Sequence, residues 1–341
     1  MKQPWIHNAK TDSWMILSPP FLILLVIFLF QKSIQELESY YSFYTWLLLI
    51  VFVDVAHVYS TLFKTYFNKE EVRRRRLLYW GMPLLSWLLG ILLYQFGSLI
   101  FWSGLALIAV FHFIRQQYGF MRIYARFEPA GWNKKIDGIA VYAATIYPML
   151  YWFSTPRAFN WFVSNEFHWF KNLSGVLPYF TGLYNSILLL WIFTTVKSSI
   201  NKGCWNIPKI ALITGTYLSW YFGIIYFNSD VIFTLLNVIS HGVPYIALIY
   251  IREIYQKEIP RTHRLSLFKR SFGIILFILI IIGCAFFEEL LWEVLVWKEH
   301  ISFGLISLGY LFPFLVPLLA VPQLTHYLLD GFIWKKPKKV V

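Results

Sequence analysis

Apolar stretches of about 18 residues or more recur along the whole chain, and each is long enough to cross the hydrocarbon core of a membrane as a helix. Hydrophobic residues make up 58% of the sequence and charged residues 14%. The stretches are continuously apolar, whereas the strands of a membrane barrel would alternate apolar and polar residues. We therefore expect an all-α, polytopic membrane helix bundle, with residues 1–341 forming a single integral membrane domain.

Hydropathy divides the chain into about ten transmembrane helices. The last is long enough that we expect it to break near Pro313, Pro317 or Pro322, since proline removes a backbone donor. The expected helices cover residues 14–30, 42–63, 78–96, 99–121, 137–154, 176–196, 208–227, 230–250, 269–288 and 302–334.

Basic residues cluster after every even-numbered predicted helix, as in the run Arg73-Arg74-Arg75-Arg76. The opposite loops, such as residues 287–300, are acidic and poor in Lys and Arg. The positive-inside rule makes the basic side cytoplasmic, so both termini are expected in the cytoplasm of a bacterial cell, with the chain in its inner membrane. The formal net charge of +13 is then mainly a topology signal, which favours membrane lipids and not nucleic acid as partners.

Four histidines, His57, His112, His241 and His326, lie inside predicted helices that run in the same direction. At 1.5 Å per residue they lie about 10 to 17 Å inside the cytoplasmic boundary, and therefore at similar depth. The other four, His7, His168, His263 and His300, fall in predicted loops or termini. A histidine inside a membrane helix is costly and usually marks a functional site. The depth follows from the number of residues between each buried histidine and the basic residue after its helix. These separations are 7, 10, 11 and 9 residues, to Lys64, Arg122, Arg252 and Lys335.

Each of these histidines has polar neighbours three or four positions away, on the same helical face. Imidazoles that bind a metal commonly donate their other N–H to such groups. We expect Gln116, Asn237 and Gln323 to orient the histidines. Asp54 and Asp330 are further orienting groups or catalytic carboxylates, and Arg115 is a candidate anchor for a polar or anionic part of the substrate.

Four neutral imidazoles in an apolar pocket suit iron, zinc or copper. A catalytic zinc usually has three protein ligands and a water, so a fourth histidine favours iron with open positions for dioxygen. Zinc and copper are the less favoured choices. Four histidines favour one ion, although Asp54 and Asp330 as additional ligands would allow two.

The dipeptide His112-Phe113 and the segment His241-Gly242-Val243-Pro244, in a strongly apolar polytopic chain, resemble the bacterial Brp/Blh-type carotene oxygenases. The resemblance implies one iron held by four histidines and the cleavage of a polyene by dioxygen to form retinal. The segments DVAHVYSTLFKTY, FHFIRQQYG and HYLLDGFIWK are also similar to those of another bacterial membrane family.

The expected function is a membrane-embedded, non-haem iron oxygenase that acts on a carotenoid, an isoprenoid or an acyl lipid. The alternative is a proton-coupled transporter that uses the buried His, Asp and Arg side chains as a relay. An acyltransferase with one histidine as general base would leave three histidines unexplained. Asp54 and Asp330 could also pair with Arg115 in a structural network.

Overall fold

A computed structural model describes residues 3–39, 47–155, 157–259, 263–298 and 309–334. Within these ranges all regular secondary structure is helical, which confirms the all-α class. The helices, several of which contain π-helical turns, are α1 (Ala9–Leu17), α2 (Pro19–Leu29), α3 (Gln31–Ser39), α4 (47–64), α5 (Lys69–Arg74), α6 (Arg76–Gln95), α7 (Ser98–Tyr124), α8 (Trp132–Ser154), α9 (Leu177–Lys202), α10 (207–226), α11 (Asp230–Tyr255), α12 (Gly273–Trp297), α13 (Phe312–Leu319) and α14 (Val321–Ile333).

Six of the described helical stretches are long and apolar enough to cross a membrane, and α1 with α2, bent by 55°, would make a seventh. Much of this apolar surface is exposed, since only 17% of the apolar window is buried in α6 and 28% in α12. Exposed apolar surface of this extent suits lipid contact. The six stretches indicate an integral membrane protein and are α6, α7, 173–202, α11, α12 and 309–333.

Each of the ten predicted segments contains a helix, although residues 42–46 and 302–308 of two predictions lie outside the described residues. The last segment breaks at Ala320, and Pro322 follows in the first turn of α14, as the proline positions predicted. One boundary differs clearly. The acidic residues predicted to lie in the loop 287–300 instead continue α12 as far as Trp297.

The described chain groups into two compact units, which are considered separately below. The first unit comprises the described residues within 1–42 and 113–244. In it, α8 packs against α9 and α10, and α10 also packs against α2. Leu24, Ile27 and Val231 belong to one of its apolar clusters. A buried ion pair joins Lys209 to Asp137, with 2.7 Å between Nζ and Oδ2.

The second unit comprises the described residues within 43–112 and 245–341. In it, α12 packs against α4, while α6 packs against α13 and α14. One of its apolar clusters includes Val55, Phe63, Ile249 and Phe277, which come from α4, α11 and α12. This packing holds α4, α12 and α14 close together, with polar side chains on each of them.

A close approach of two helices in the second unit suggests a stability test at Gly90 of α6. A β-carbon there would lie 2.8 Å from Cβ of Pro317, a rigid ring atom of α13, whereas one at Gly81 would meet nothing within 4 Å. Gly90→Ala should lower the free energy of unfolding by about 1–3 kcal/mol through overpacking. Gly81→Ala is the matched control and should stabilise the helix by up to about 1 kcal/mol. Thermal unfolding in detergent checks both, and equal shifts of the two midpoints would contradict the close packing.

Candidate metal centre

Three of the four predicted histidines meet inside the second unit. His57 of α4, His112 of α7 and His326 of α14 are 0%, 3% and 2% exposed. One ring nitrogen from each can be chosen so that all three atoms lie within 4.8 Å of one another. The Nε2 atoms of His112 and His326 are 3.1 Å apart. Three helices that are distant in sequence therefore bring three imidazoles to one buried point.

The Nδ1 atoms of these histidines lie near polar groups of the same unit. Nδ1 of His326 is 2.7 Å from Oγ1 of Thr61, and Nδ1 of His112 is 3.5 Å from Oδ2 of Asp330. Nδ1 of His57 is 3.7 Å from Oδ1 of Asp54. Among these three, only the contact between Thr61 and His326 has hydrogen-bond length, and a metal-binding imidazole is usually held by such a partner at the nitrogen that does not bind the ion.

Asp330 is the end point of a continuous set of hydrogen bonds. Its Oδ1 accepts from the Tyr245 hydroxyl at 2.6 Å and from Nε1 of Trp334 at 3.2 Å. The Tyr245 hydroxyl also lies 3.1 Å from Oγ1 of Thr61. Because Thr61 contacts His326 and Asp330 faces His112, the set links two of the three histidines through side chains alone.

The protons of this set can be assigned if Asp330 is ionised, since a carboxylate only accepts. The Tyr245 hydroxyl then donates to Asp330, and the Thr61 hydroxyl donates to the Tyr245 oxygen. His326 donates its Nδ1 proton to Thr61, and His112 directs its Nδ1 proton towards Asp330. In this assignment both histidines have lone pairs at Nε2, where their rings face each other.

The opposite tautomer of His326 would place a proton between the two Nε2 atoms. Thr61 would then donate to Nδ1 of His326, and no proton would remain for the 3.1 Å contact between the Thr61 and Tyr245 oxygens. In the first assignment a proton lies between the two atoms of every close contact, except at the 3.1 Å approach of the two Nε2 atoms. A cation bound between these lone pairs would stabilise that approach.

The separations suit a single small ion. Imidazole nitrogens bind zinc at about 2.0–2.1 Å, so two adjacent ligands on one ion lie about 3.0–3.4 Å apart. The 3.1 Å between Nε2 of His112 and Nε2 of His326 falls in this range. One ring nitrogen of each of the three histidines can be chosen with all separations within 4.8 Å, so side-chain movements of about 1–2 Å would bring all three rings to one ion.

Two of the predicted orienting residues of the second unit have different partners from those that helical spacing predicted. Asp330 faces His112 across the helices, whereas its position four after His326 pointed to that residue. Gln323 donates to Oε1 of Glu288 at 3.3 Å. Asp54 lies beside His57 as expected.

The remaining predicted residues belong to the first unit. The ring of His241 stacks on Phe113, with 3.6 Å between the ring centroids, and its carbonyl accepts from Nε2 of Gln116 at 2.8 Å. Nδ2 of Asn237 donates to the Phe233 carbonyl four residues earlier. The role of His241 as a fourth ligand, and those of Gln116 and Asn237 as its supports, stay predictions.

Arg115 and the histidines outside the predicted helices lie in other surroundings. Arg115 is exposed and donates to the Tyr142 hydroxyl at 2.6 Å, so its role as a substrate anchor stays a prediction. Nδ1 of His168 is 2.9 Å from the Asn165 carbonyl, and Nδ1 of His263 accepts from the Leu265 N–H. His7 precedes α1, and His300 lies outside the described residues.

Sequence reasoning missed three side chains that support the histidines: Thr61, Tyr245 and Trp334. Thr61 carried a usable signal, because it lies four residues after His57 on the same helix. Trp334 also carried a signal, because it lies four residues after Asp330, to which it donates. Tyr245 comes from α11, and no spacing along the chain relates it to Thr61. Comparison of the chain with known protein families, curated proteins and solved structures finds no match.

Proposed function

We propose that the protein is a membrane-embedded, iron-dependent oxygenase that acts on a lipophilic substrate. The observation that carries the proposal is the meeting of His57, His112 and His326 at one buried point, with Nδ1 of His112 and His326 facing oxygen atoms of Asp330 and Thr61. Buried histidines need partners, and a shared cation would serve all three together.

Iron is the preferred ion for this centre. Imidazole ligands suit iron, zinc and copper, and the preference for iron rests on His241 as the predicted fourth ligand, because three protein ligands and a water are usual for a catalytic zinc. The resemblance noted in the sequence also implies iron.

A lipophilic substrate fits the surroundings of the three histidines. The ring of Tyr327 lies 4.9 Å from that of His112, and the ring of Tyr245 lies 5.2 Å from that of His326, measured between centroids. Tyr245 is 1% exposed and Tyr327 is partly buried, so two aromatic rings border the centre. A carotenoid, an isoprenoid or an acyl lipid could reach such a centre from the bilayer.

The proposal includes the finer membrane arrangement that the sequence predicted. In it the chain crosses a bacterial inner membrane about ten times, and both termini are cytoplasmic. Membrane lipids are the surrounding partners, and nucleic acid is not a partner. The exposed apolar surfaces of α6 and α12 support lipid contact.

The oxygenase activity can be tested with iron-loaded protein in lipid nanodiscs. We expect a carotenoid, isoprenoid or acyl lipid to stimulate dioxygen uptake, and the product to carry heavy oxygen supplied as dioxygen. His326→Ala is the matched control and should show no stimulated uptake. A product labelled only from heavy-oxygen water would instead identify a hydrolase.

A proton-coupled transporter is the second candidate, and the carboxylates of α12 favour it. Glu288 and Glu289 are 4% and 9% exposed within a stretch of mean hydropathy 2.6. Buried acidic residues in membrane helices often belong to proton relays. This candidate predicts substrate flux driven by a proton gradient, without a stoichiometric metal.

A further inference from the structure

Three glutamates of α12 are buried in a strongly apolar span. Glu288, Glu289 and Glu293 are 4%, 9% and 7% exposed. Glu293 follows Glu289 by one helical turn, about 6 Å along the axis towards Trp297. The Glu289 carboxylate lies within electrostatic range of both other glutamates. We refer to these three residues as the glutamate face.

Two of these carboxylates have no basic partner. Among the described residues, no Lys, Arg or His nitrogen lies within 4.0 Å of Glu288 or Glu289. Glu288 accepts from the Tyr59 hydroxyl at 2.6 Å and from Gln323 at 3.3 Å. Within the described part of the chain, the Glu289 side chain makes no hydrogen bond. An ionised carboxylate buried in this way is costly, so Glu288 and Glu289 need protons or a cation.

A proton is the occupant that the spacing favours. A metal ion needs several ligand atoms close together, and within the described ranges the group close enough to hold one is His57, His112 and His326. The glutamates form no such group. Carboxyl groups that exchange protons can lie further apart, because water or side-chain motion can bridge them.

The glutamate face lies beside the helices that carry two of the histidines. Tyr59, which donates to Glu288, is two residues after His57 on α4, and Gln323 is three residues before His326 on α14. Other titratable groups also face these glutamates. They are Asp54 and Tyr59 from α4, Tyr327 from α14 and Cys284 from α12 itself.

We propose that the glutamate face is a proton-transfer path between the Trp297 end of α12 and the metal centre. This inference rests on the proposed function, because it gives the path a metal centre to serve. Water bound to a metal ion loses a proton far more readily than bulk water. A buried centre would need a route for that proton. Each step moves one proton from a donor to a neighbouring acceptor, the proton lost at the centre is released at the Trp297 end, and nothing is oxidised or reduced.

The path can be tested with Co²⁺ in the purified protein, since the visible absorption of the ion reports protonation at the centre. After a rapid pH change in nanodiscs, Glu289→Gln should slow the spectral response at least about 10-fold relative to wild type, with unchanged Co²⁺ content and the same final spectrum. Glu70→Gln, at an exposed glutamate of α5, is the matched control and should respond like wild type. Equal rates in wild type and Glu289→Gln would overturn the path.

Infrared spectroscopy of the metal-free protein separates this inference from the proposed function. The carbonyl band of a protonated carboxyl group should be present in wild type at neutral pH and reduced in Glu289→Gln. Its absence would overturn the path even if the protein binds metal. If wild type binds no Co²⁺ but the band is present and Glu289-dependent, the proposed function fails, and the glutamate face holds protons without a metal centre to serve.

Discussion

Replacing any one of His57, His112 and His326 by alanine is expected to abolish stoichiometric metal binding. Each variant removes one of three imidazoles that can reach a single ion. Loss of a supporting partner typically weakens metal binding about 10- to 100-fold, so loss of a ligand should exceed about 100-fold. Metal content after supplementation and dialysis, together with a Co²⁺ titration, measures the effect. Full metal content in all three variants would show that the ion binds elsewhere.

Histidines outside this group are the controls for that experiment. His168→Ala and His263→Ala should keep wild-type metal content, because their Nδ1 atoms contact backbone groups outside the centre. His241→Ala tests the fourth ligand that the sequence predicted. A loss of metal equal to that of His326→Ala would support four histidines, and unchanged content would leave three.

Asp330→Asn should lower metal affinity about 10- to 100-fold, the second largest effect we expect. Asparagine keeps the size of the side chain but removes the negative charge of the carboxylate. One oxygen of that carboxylate faces Nδ1 of His112, and the other accepts from Tyr245. Tyr245→Phe keeps the carboxylate and should have a smaller effect. Competition with a chelator of known affinity measures both variants. Wild-type affinity in Asp330→Asn would contradict the proton assignment described above.

Helical spacing predicted which residues lie inside the bundle better than it predicted their partners. Similar offsets from the basic clusters predicted similar depth for four histidines, and three of them meet. Asp330 shares a helical face with His326, yet it faces His112, because a neighbouring helix offers a nearer ring nitrogen. Spacing along one helix cannot specify which side chains other helices bring to it.

π-helical turns add a second reason why the local pattern was incomplete. Asn237 lies in the π-helical turn Thr234–Val238, and its Nδ2 donates to the Phe233 carbonyl. Each extra residue in such a turn rotates the following residues by about 100° relative to a regular helix. The sequence carries no clear signal for these turns, so the three- and four-residue spacing of a regular helix does not give the contacts across them.

The acidic end of α12 shows a third limit. Four glutamates between residues 288 and 299 looked like a solvated loop, but Glu288, Glu289 and Glu293 are buried. Tyr59 and Gln323 supply donors to Glu288 from two other helices. Composition predicts exposure for acidic residues in general. The exceptions depend on tertiary partners that are distant in sequence.

The measurement that tests the central claim most directly is elemental analysis of the purified protein after growth with supplemented metals. A centre formed by His57, His112 and His326 predicts about one transition-metal ion per chain, with iron in excess over zinc, copper and manganese. Its loss in His326→Ala would place the ion at this centre. A total below about 0.2 of these ions per chain in the wild-type protein would contradict the metal centre and favour the proton-coupled transporter.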